Sequence, residues 1–351
     1  MSRAPEKTYI AVDCGKYNTK TAMFRDDGRG MVRKKFRTKF SPGTFDDDMF
    51  GRGTYIIQID DGPVYKVGNE GRTEPDMETT KKTEIHAVCT MAGIAAALGE
   101  GDHKDVSVVI GIPLQLATIP EERLSYKSYI LGEPGQHTVR LKADQNGPVV
   151  TVKFTITSEK VYPEGMGVLY EYPDRLDGPT AIIDIGNLNT NNTYADRFNI
   201  NSEACFTDEL GGKVLISGLA QELTSELGSR VDDNLAASTL LKPYEERFLV
   251  PANGDPEIQK RSREIIDRYL LDHVNAIKKK CDTHHWPLAF MRVVCIGGTS
   301  RLLSGEIRTV FGQNAFIPDN PEYVNACGFL RKLCADSGVD ITDAGKGKQQ
   351  G

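Results

Sequence analysis

The chain has 351 residues, 39% of them hydrophobic and 26% charged, which is enough apolar material for packed cores and excludes a disordered or collagen-like chain. At about 150 residues per domain this length predicts two lobes. A net charge of −6 excludes a dedicated nucleic-acid binder, whose phosphate contacts need a basic surface. No apolar run approaches the roughly 20 residues that cross a bilayer, so no membrane contact and a cytoplasmic location are expected. The seven cysteines are odd in number, scattered and mostly set in apolar stretches, as reduced thiols would be.

From the N-terminus, Tyr9 to Val12 and Thr19 to Phe24 flank a polar turn and predict a β-hairpin. A second hairpin is signalled by Tyr55 to Ile59 and Val64 to Val67 around Asp60-Asp61-Gly62-Pro63. The spacing of Ile85, Val88, Ala92, Ala95 and Ala96 predicts a helix over 83–98, stopped by Gly99. Val106 to Ile112 is a continuous apolar strand ending at Pro113. Val150, Val152, Phe154 and Ile156 alternate with polar residues after a turn at Asn146-Gly147, which predicts an antiparallel element. Ala181 to Ile185 is a buried strand that breaks at Gly186-Asn187-Leu188-Asn189 and resumes at Thr193, repeating the pattern of residues 10–24.

Past Gly211-Gly212, Leu215, Leu219, Leu223 and Leu227 recur every four residues on a helix buried along one stripe. A longer helix is predicted over 256–280, with His273 at the edge of the core rather than as a ligand. At its end Cys281-Asp-Thr-His284-His285 lacks a second ligand pair, so a solvated helix end is expected there, not zinc. Arg292 to Ile296 predicts another buried strand, ending at Gly297-Gly298-Thr299-Ser300, and Tyr323 to Cys334 a last helix. The Gly-, Asp-, Lys- and Gln-rich tail, 337–351, is expected to be disordered.

Neither GxxxxGK[ST] nor a GxGxxG after a strand is present. Instead two strands end in aspartate followed two residues later by glycine, Asp13-x-Gly15 and Asp184-x-Gly186, and a third ends in Gly297-Gly298-Thr299. Glycines at strand ends let backbone N–H groups approach an anion, and a carboxylate beside them can hold hydrated Mg²⁺ through water.

With these motifs in this order the chain resembles the actin superfamily and, within it, the bacterial ParM group of plasmid-segregating actin-like proteins. The resemblance implies an α/β fold of two lobes, each a mixed sheet flanked by helices, with a nucleotide cleft between them. It implies a first lobe of residues 1–175 plus 321–336 and a second of 176–320. Asp13-x-Gly15-x-x-Asn18-x-Lys20 matches the ParM form of the first phosphate turn, in which Lys20 would reach the β- and γ-phosphates and Gly15, Lys16, Tyr17 and Asn18 would line the nucleotide. Gly186, Asn187, Leu188 and Asn189 would form the second turn, and Gly211 and Gly212 would join the nucleotide-binding residues. Asp13 and Asp184 would be the Mg²⁺-side carboxylates. Gly297, Gly298 and Thr299 would form the adenosine motif. Glu164, in Tyr162-Pro163-Glu164-Gly165, would orient the attacking water. The second turn departs from the pattern, with Asn187-Leu188-Asn189 for Gly- or Thr-rich residues and Asn191 where ParM is acidic.

The function so implied is an NTPase that polymerises with ATP or GTP, hydrolyses it after assembly, and segregates plasmid DNA through a DNA-bound adaptor of the ParR type without touching DNA itself. A small-molecule kinase of the same fold, such as a sugar kinase, is the alternative.

Overall fold

The computed structural model describes residues 7–24, 30–75, 81–252, 254–312 and 315–339. The chain divides into two compact units, Met1–Pro173 with Tyr323–Gly351, and Asp174–Glu322.

The first unit contains β1 (Thr8–Cys14), β2 (Asn18–Phe24), β3 (Met31–Arg37), β4 (Phe40–Pro42), β5 (Thr54–Ile59) and β6 (Val64–Gly68). There follow α1 (Glu84–Leu98), β7 (Gly101–Ile112), α2 (Leu114–Ala117), α3 (Pro120–Leu131), β8 (Gln136–Lys142), β9 (Val150–Pro163) and α4 (Gly167–Glu171). Its nine strands form one mixed sheet in the order β3-β2-β1-β7-β9-β8-β5-β6-β4. β1 runs antiparallel to β2 and parallel to β7, and β7 runs parallel to β9. β1 is apolar without alternation because both faces are covered. Ile10 and Val12 pack in the cluster that contains α1, while Ala11 packs with Ala22, Val109 and Tyr162 in another. Each such fully buried branched side chain contributes about 1.5–3 kcal/mol over its exposed state.

The second unit is built from β10 (Pro179–Ile185), β11 (Thr190–Asp196), β12 (Asn199–Ile200), β13 (Phe206–Asp208), α5 (Gly212–Leu227), α6 (Asp233–Leu240) and α7 (Pro256–Thr283). β14 (Arg292–Ile296), α8 (Ser304–Phe311) and β15 (Ala315–Phe316) complete it. The sheet order is β12-β11-β10-β14-β15, with β13 also on β11. Ala181, Ile183 and Ile185 face Leu215, Leu219 and Leu223 of α5 and Ile266, Leu270 and Ile277 of α7. The α7 stripe follows the predicted spacing, and His273 on it is buried and bonds to the Leu210 carbonyl (3.2 Å).

The chain closes with α9 (Val324–Asp336), which belongs to the first unit. It meets α4 at glycine: a Cβ on Gly328 would overlap the Gly167 carbonyl, so only glycine permits this approach. The helix runs to Asp336, and residues 340–351 of the expected tail lie outside the described residues.

All seven cysteines are free, and only Cys205 is not buried. Among the described residues no helix is long and apolar enough to cross a membrane, and no group of three or more His, Cys, Asp or Glu could hold a metal ion. Cys281 is buried, whereas Asp282 to His285 at the helix end are exposed as expected, and His284 stacks on Phe206 (3.7 Å between centroids).

Candidate nucleotide site

Each sheet carries one turn of the same form. In the first unit Asp13-Cys14-Gly15-Lys16-Tyr17-Asn18 joins β1 to β2, with the Gly15 amide donating to the Asn18 carbonyl (3.1 Å). In the second unit Asp184-Ile185-Gly186-Asn187-Leu188-Asn189 joins β10 to β11, and the Gly186 amide donates to the Asn189 carbonyl (3.0 Å). Each first strand has a parallel neighbour on its other side, β7 and β14. The repeat seen in the sequence is therefore a repeat of backbone geometry.

Hairpin register fixes what faces each aspartate. Asp13 lies opposite Lys20, whose ammonium donates to its carboxylate (2.9 Å). Asp13 is buried, so this charge-assisted contact offsets the cost of desolvating the carboxylate. The Thr38 hydroxyl donates to the Gly15 carbonyl (2.6 Å) and lies 3.0 Å from the Thr19 hydroxyl, which ties the turn to the chain following β3. Tyr17 is 39% exposed, and the Arg37 guanidinium sits over its ring.

Glu164 follows the end of β9. Its amide donates to the Ile112 carbonyl (2.9 Å), and the next amide, Gly165, donates to Asn325 Oδ1 of α9 (3.1 Å). Glu164 is buried, not an exposed loop carboxylate, and it pairs with Lys81, which is also buried. Burial works against the Lys81 charge, but Glu164 and then Asp13 outweigh it and raise its pKa. His86, in the first turn of α1, is buried, with Nδ1 2.7 Å from the Thr83 hydroxyl and Nε2 without a partner among the described residues. Burial, reinforced by Lys81 and Lys16, pushes its pKa down to about 3, so the ring is neutral. Lys81 is the residue that sequence reasoning missed. It stands 83 residues from Glu164, and no local spacing relates the two.

In the second unit the three glycine motifs converge. The Gly186 carbonyl accepts from the Gly212 amide (2.9 Å) and from the Thr299 hydroxyl (2.9 Å). The Lys213 amide donates to the Asn187 carbonyl (2.7 Å), so the positive end of the 16-residue helix α5 abuts the turn. The Thr299 amide donates to the Ile185 carbonyl (3.2 Å). Gly297 has φ +87°, and a Cβ there would overlap Asp184 Oδ1 and lie 2.5 Å from the Ile185 carbonyl oxygen. Only glycine lets β14 end beside Asp184. Gly298 is exposed and Gly211 buried. Asn191 lies opposite Asp184 in register, and its Oδ1 accepts from Thr207 (2.9 Å). A cavity of about 630 Å³ at the other end of β10 and β14, lined by Arg175, Phe290, Arg292 and Phe316 among others, contains none of these residues.

Residues 11–167 match the family model of the N-terminal domain of actin-like proteins. The fold is actin-like. It is shared with the Alp12 filament structure (TM-score 0.69, 22% identity, 94% of this chain and 99% of that one). It is shared equally with Ta0583, an archaeal actin homolog (TM-score 0.74, 19% identity, 94% and 99%). Bacillus thuringiensis ParM with ADP gives a TM-score of 0.65 at 17% identity, over 94% of this chain and 99% of that one. No curated protein sequence matches the chain significantly. These likenesses bear out the two-lobed actin-like fold expected from the motifs, with a mixed sheet and flanking helices in each unit.

Proposed function

We propose that this actin-like chain binds a nucleoside triphosphate with Mg²⁺, assembles into filaments, and hydrolyses the nucleotide once assembled. The observation that carries this reading is the paired Asp-x-Gly-x-x-Asn turn, one per unit, each closed by the same glycine-to-asparagine hydrogen bond. A single such turn is an ordinary hairpin. Two in equivalent places, each ending a strand with a parallel neighbour, give each unit the same kind of anion-binding turn. The resemblance to ParM and the ADP bound to Bacillus thuringiensis ParM and to Ta0583 support the nucleotide, and the Alp12 filament supports assembly.

The residues fit the Mg²⁺-nucleotide. Asp13 and Asp184 each stand at a strand end beside a glycine turn, and carboxylate oxygens there suit an ion that holds mostly phosphates and water. Asp13 and Asp184 would hold it through water, and it would neutralise charge that develops on the phosphates. Gly15, Lys16 and Lys20 would meet phosphate from the first unit. Gly186, Asn187, Gly212 and the head of α5 would do so from the second. Glu164 would orient the attacking water by accepting its proton hydrogen bond, since it is a buried carboxylate anchored through two backbone amides.

The ParM resemblance extends the reading to plasmid segregation through a DNA-bound adaptor of the ParR type. The net charge of −6 agrees with a filament that leaves DNA contact to its adaptor.

The test is to mix the protein with Mg²⁺ and ATP, GTP or ADP, following light scattering and phosphate release together and imaging by electron microscopy. Filaments with a triphosphate, and phosphate release lagging behind scattering, are expected. Nucleotide binding without polymer at any concentration would move the reading to the small-molecule kinase.

A further inference from the structure

Lys81 is placed with more care than a structural lysine needs. Its backbone has φ +52°, a left-handed conformation that costs a non-glycine residue about 1 kcal/mol. It lies two residues ahead of Thr83, the N-cap residue of α1, and its neighbour Lys82 is fastened to α3 through Glu122 (3.3 Å) and Ser125 (3.0 Å). The ammonium of Lys81 is buried against Glu164, and Asp13 is the next carboxylate acting on it. Burying an ion pair costs several kcal/mol per ion before attraction returns any of it, so such a pair is poor evidence for stability. A strained backbone and a desolvated charge both directed at one carboxylate are the marks of a functional position.

We infer that Lys81 is a positioning residue for Glu164, helping to set the direction of the carboxylate that orients the attacking water. The inference rests on the reading of Glu164 given above. Glu164 is held at its backbone by Ile112 and, through Gly165, by Asn325. Those bonds set where its Cα stands. Lys81, arriving from a different element, contacts the carboxylate itself. A carboxylate that loses this contact would meet the water in the right orientation less often, which lowers turnover and leaves nucleotide affinity alone.

The experiment compares phosphate release per assembled subunit, against nucleotide concentration, for Lys81→Met, Lys81→Arg, Glu164→Gln and the Lys81→Met/Glu164→Gln double variant. Lys81→Met should lower kcat roughly 10- to 100-fold with KM nearly unchanged, and Lys81→Arg should recover most of it. On the Glu164→Gln background Lys81→Met should have no further effect, because it acts through Glu164. A raised KM with kcat intact would overturn the inference, as would a Lys81→Met loss that repeats in full without Glu164. If Lys81→Met alone fails to fold, the double variant, which removes both buried charges, and Lys81→Arg decide the matter by the same criteria. Normal release by Glu164→Gln would instead remove the reading of Glu164 itself and this inference with it.

Discussion

In the first turn the strand-end aspartate, Asp13, faces a cation, Lys20, across the hairpin, whereas in the second Asp184 faces the uncharged Asn191. Both turns are closed by the same glycine-to-asparagine backbone bond, so the contrast lies in what surrounds them. Around the first turn stand buried or half-buried ions, Asp13 with Lys20 and Glu164 with Lys81. Around the second stand neutral donors and dipoles: the Thr299 hydroxyl, the amides of Gly212 and Lys213, and the head of α5. One backbone thus supports two divisions of labour. On the proposed function, the charges that would accept or steer a proton sit in the first unit, and the fixed dipoles that would bind phosphate sit beside Asp184 in the second.

The largest effect should come from breaking the charged half. Glu164→Gln keeps the size and removes the strong acceptor, so phosphate release should fall roughly 10²- to 10⁴-fold while nucleotide binding and filament formation persist. Filaments of the variant should outlast those of the parent in sedimentation and microscopy. Parent-like phosphate release would place the chemistry elsewhere than in the first unit.

The neutral half should break by geometry instead. Gly297→Ala puts a Cβ at φ +87° and onto Asp184 Oδ1, which costs about 1–3 kcal/mol for backbone and as much for overlap. Nucleotide affinity, measured by calorimetry, should drop about 10²-fold or more, at 1.4 kcal/mol per decade. An unchanged affinity would mean that β14 and Asp184 do not act together.

Much of this was legible in the sequence because the signals are local. Both Asp-x-Gly turns, the apolar run of β14 and the four-residue rhythm of α5 need only neighbouring residues to be read. The elements that were missed lack that rhythm. β3 reads Met-Val-Arg-Lys-Lys-Phe-Arg, a basic run with a single fully buried side chain, and it is a strand because β2 offers it an edge. α3 carries Glu121, Glu122 and Lys127 and buries only Tyr126, Ile130 and Leu131. The short α6 and α8 also passed unseen. Within the site, the positions of Glu164 and the glycines could be anticipated from motifs, but Lys81 could not. Its partner is remote in sequence, and a lysine before a helix ordinarily points to water.

A pH series sharpens the comparison further. His86, in the charged half, has its pKa pushed from 6.5 down to about 3 by burial and then by Lys81 and Lys16. Below pH 6.5 the unfolded chain takes up a proton that the folded unit refuses, so stability must fall as pH drops from 6.5 towards 3. The loss is about 1.4 kcal/mol per pH unit, or about 2 kcal/mol at pH 5. Urea unfolding followed by circular dichroism should show it, and His86→Leu should flatten the slope whatever its absolute stability. The single tryptophan, Trp286, is buried in the second unit, and its fluorescence reports that unit. A slope that survives in His86→Leu would assign the acid sensitivity to other groups.

The smallest effect tests whether the neutral half is a network or a set of separate contacts. Thr299→Val preserves shape and removes the hydroxyl that donates to the Gly186 carbonyl at 2.9 Å. That carbonyl keeps the Gly212 amide at 2.9 Å, so it is not orphaned, and the cost should be that of one neutral hydrogen bond, about 1 kcal/mol. Nucleotide affinity should weaken about 5-fold and hydrolysis per bound nucleotide should not change, because no charge near Glu164 has moved. A loss as large as that of Gly297→Ala would mean that the turn, the β14 end and the head of α5 hold phosphate only as one cooperative unit. A fall in hydrolysis at full occupancy would show that the dipoles of the second unit also serve the chemistry, and the division between the two turns would then fail.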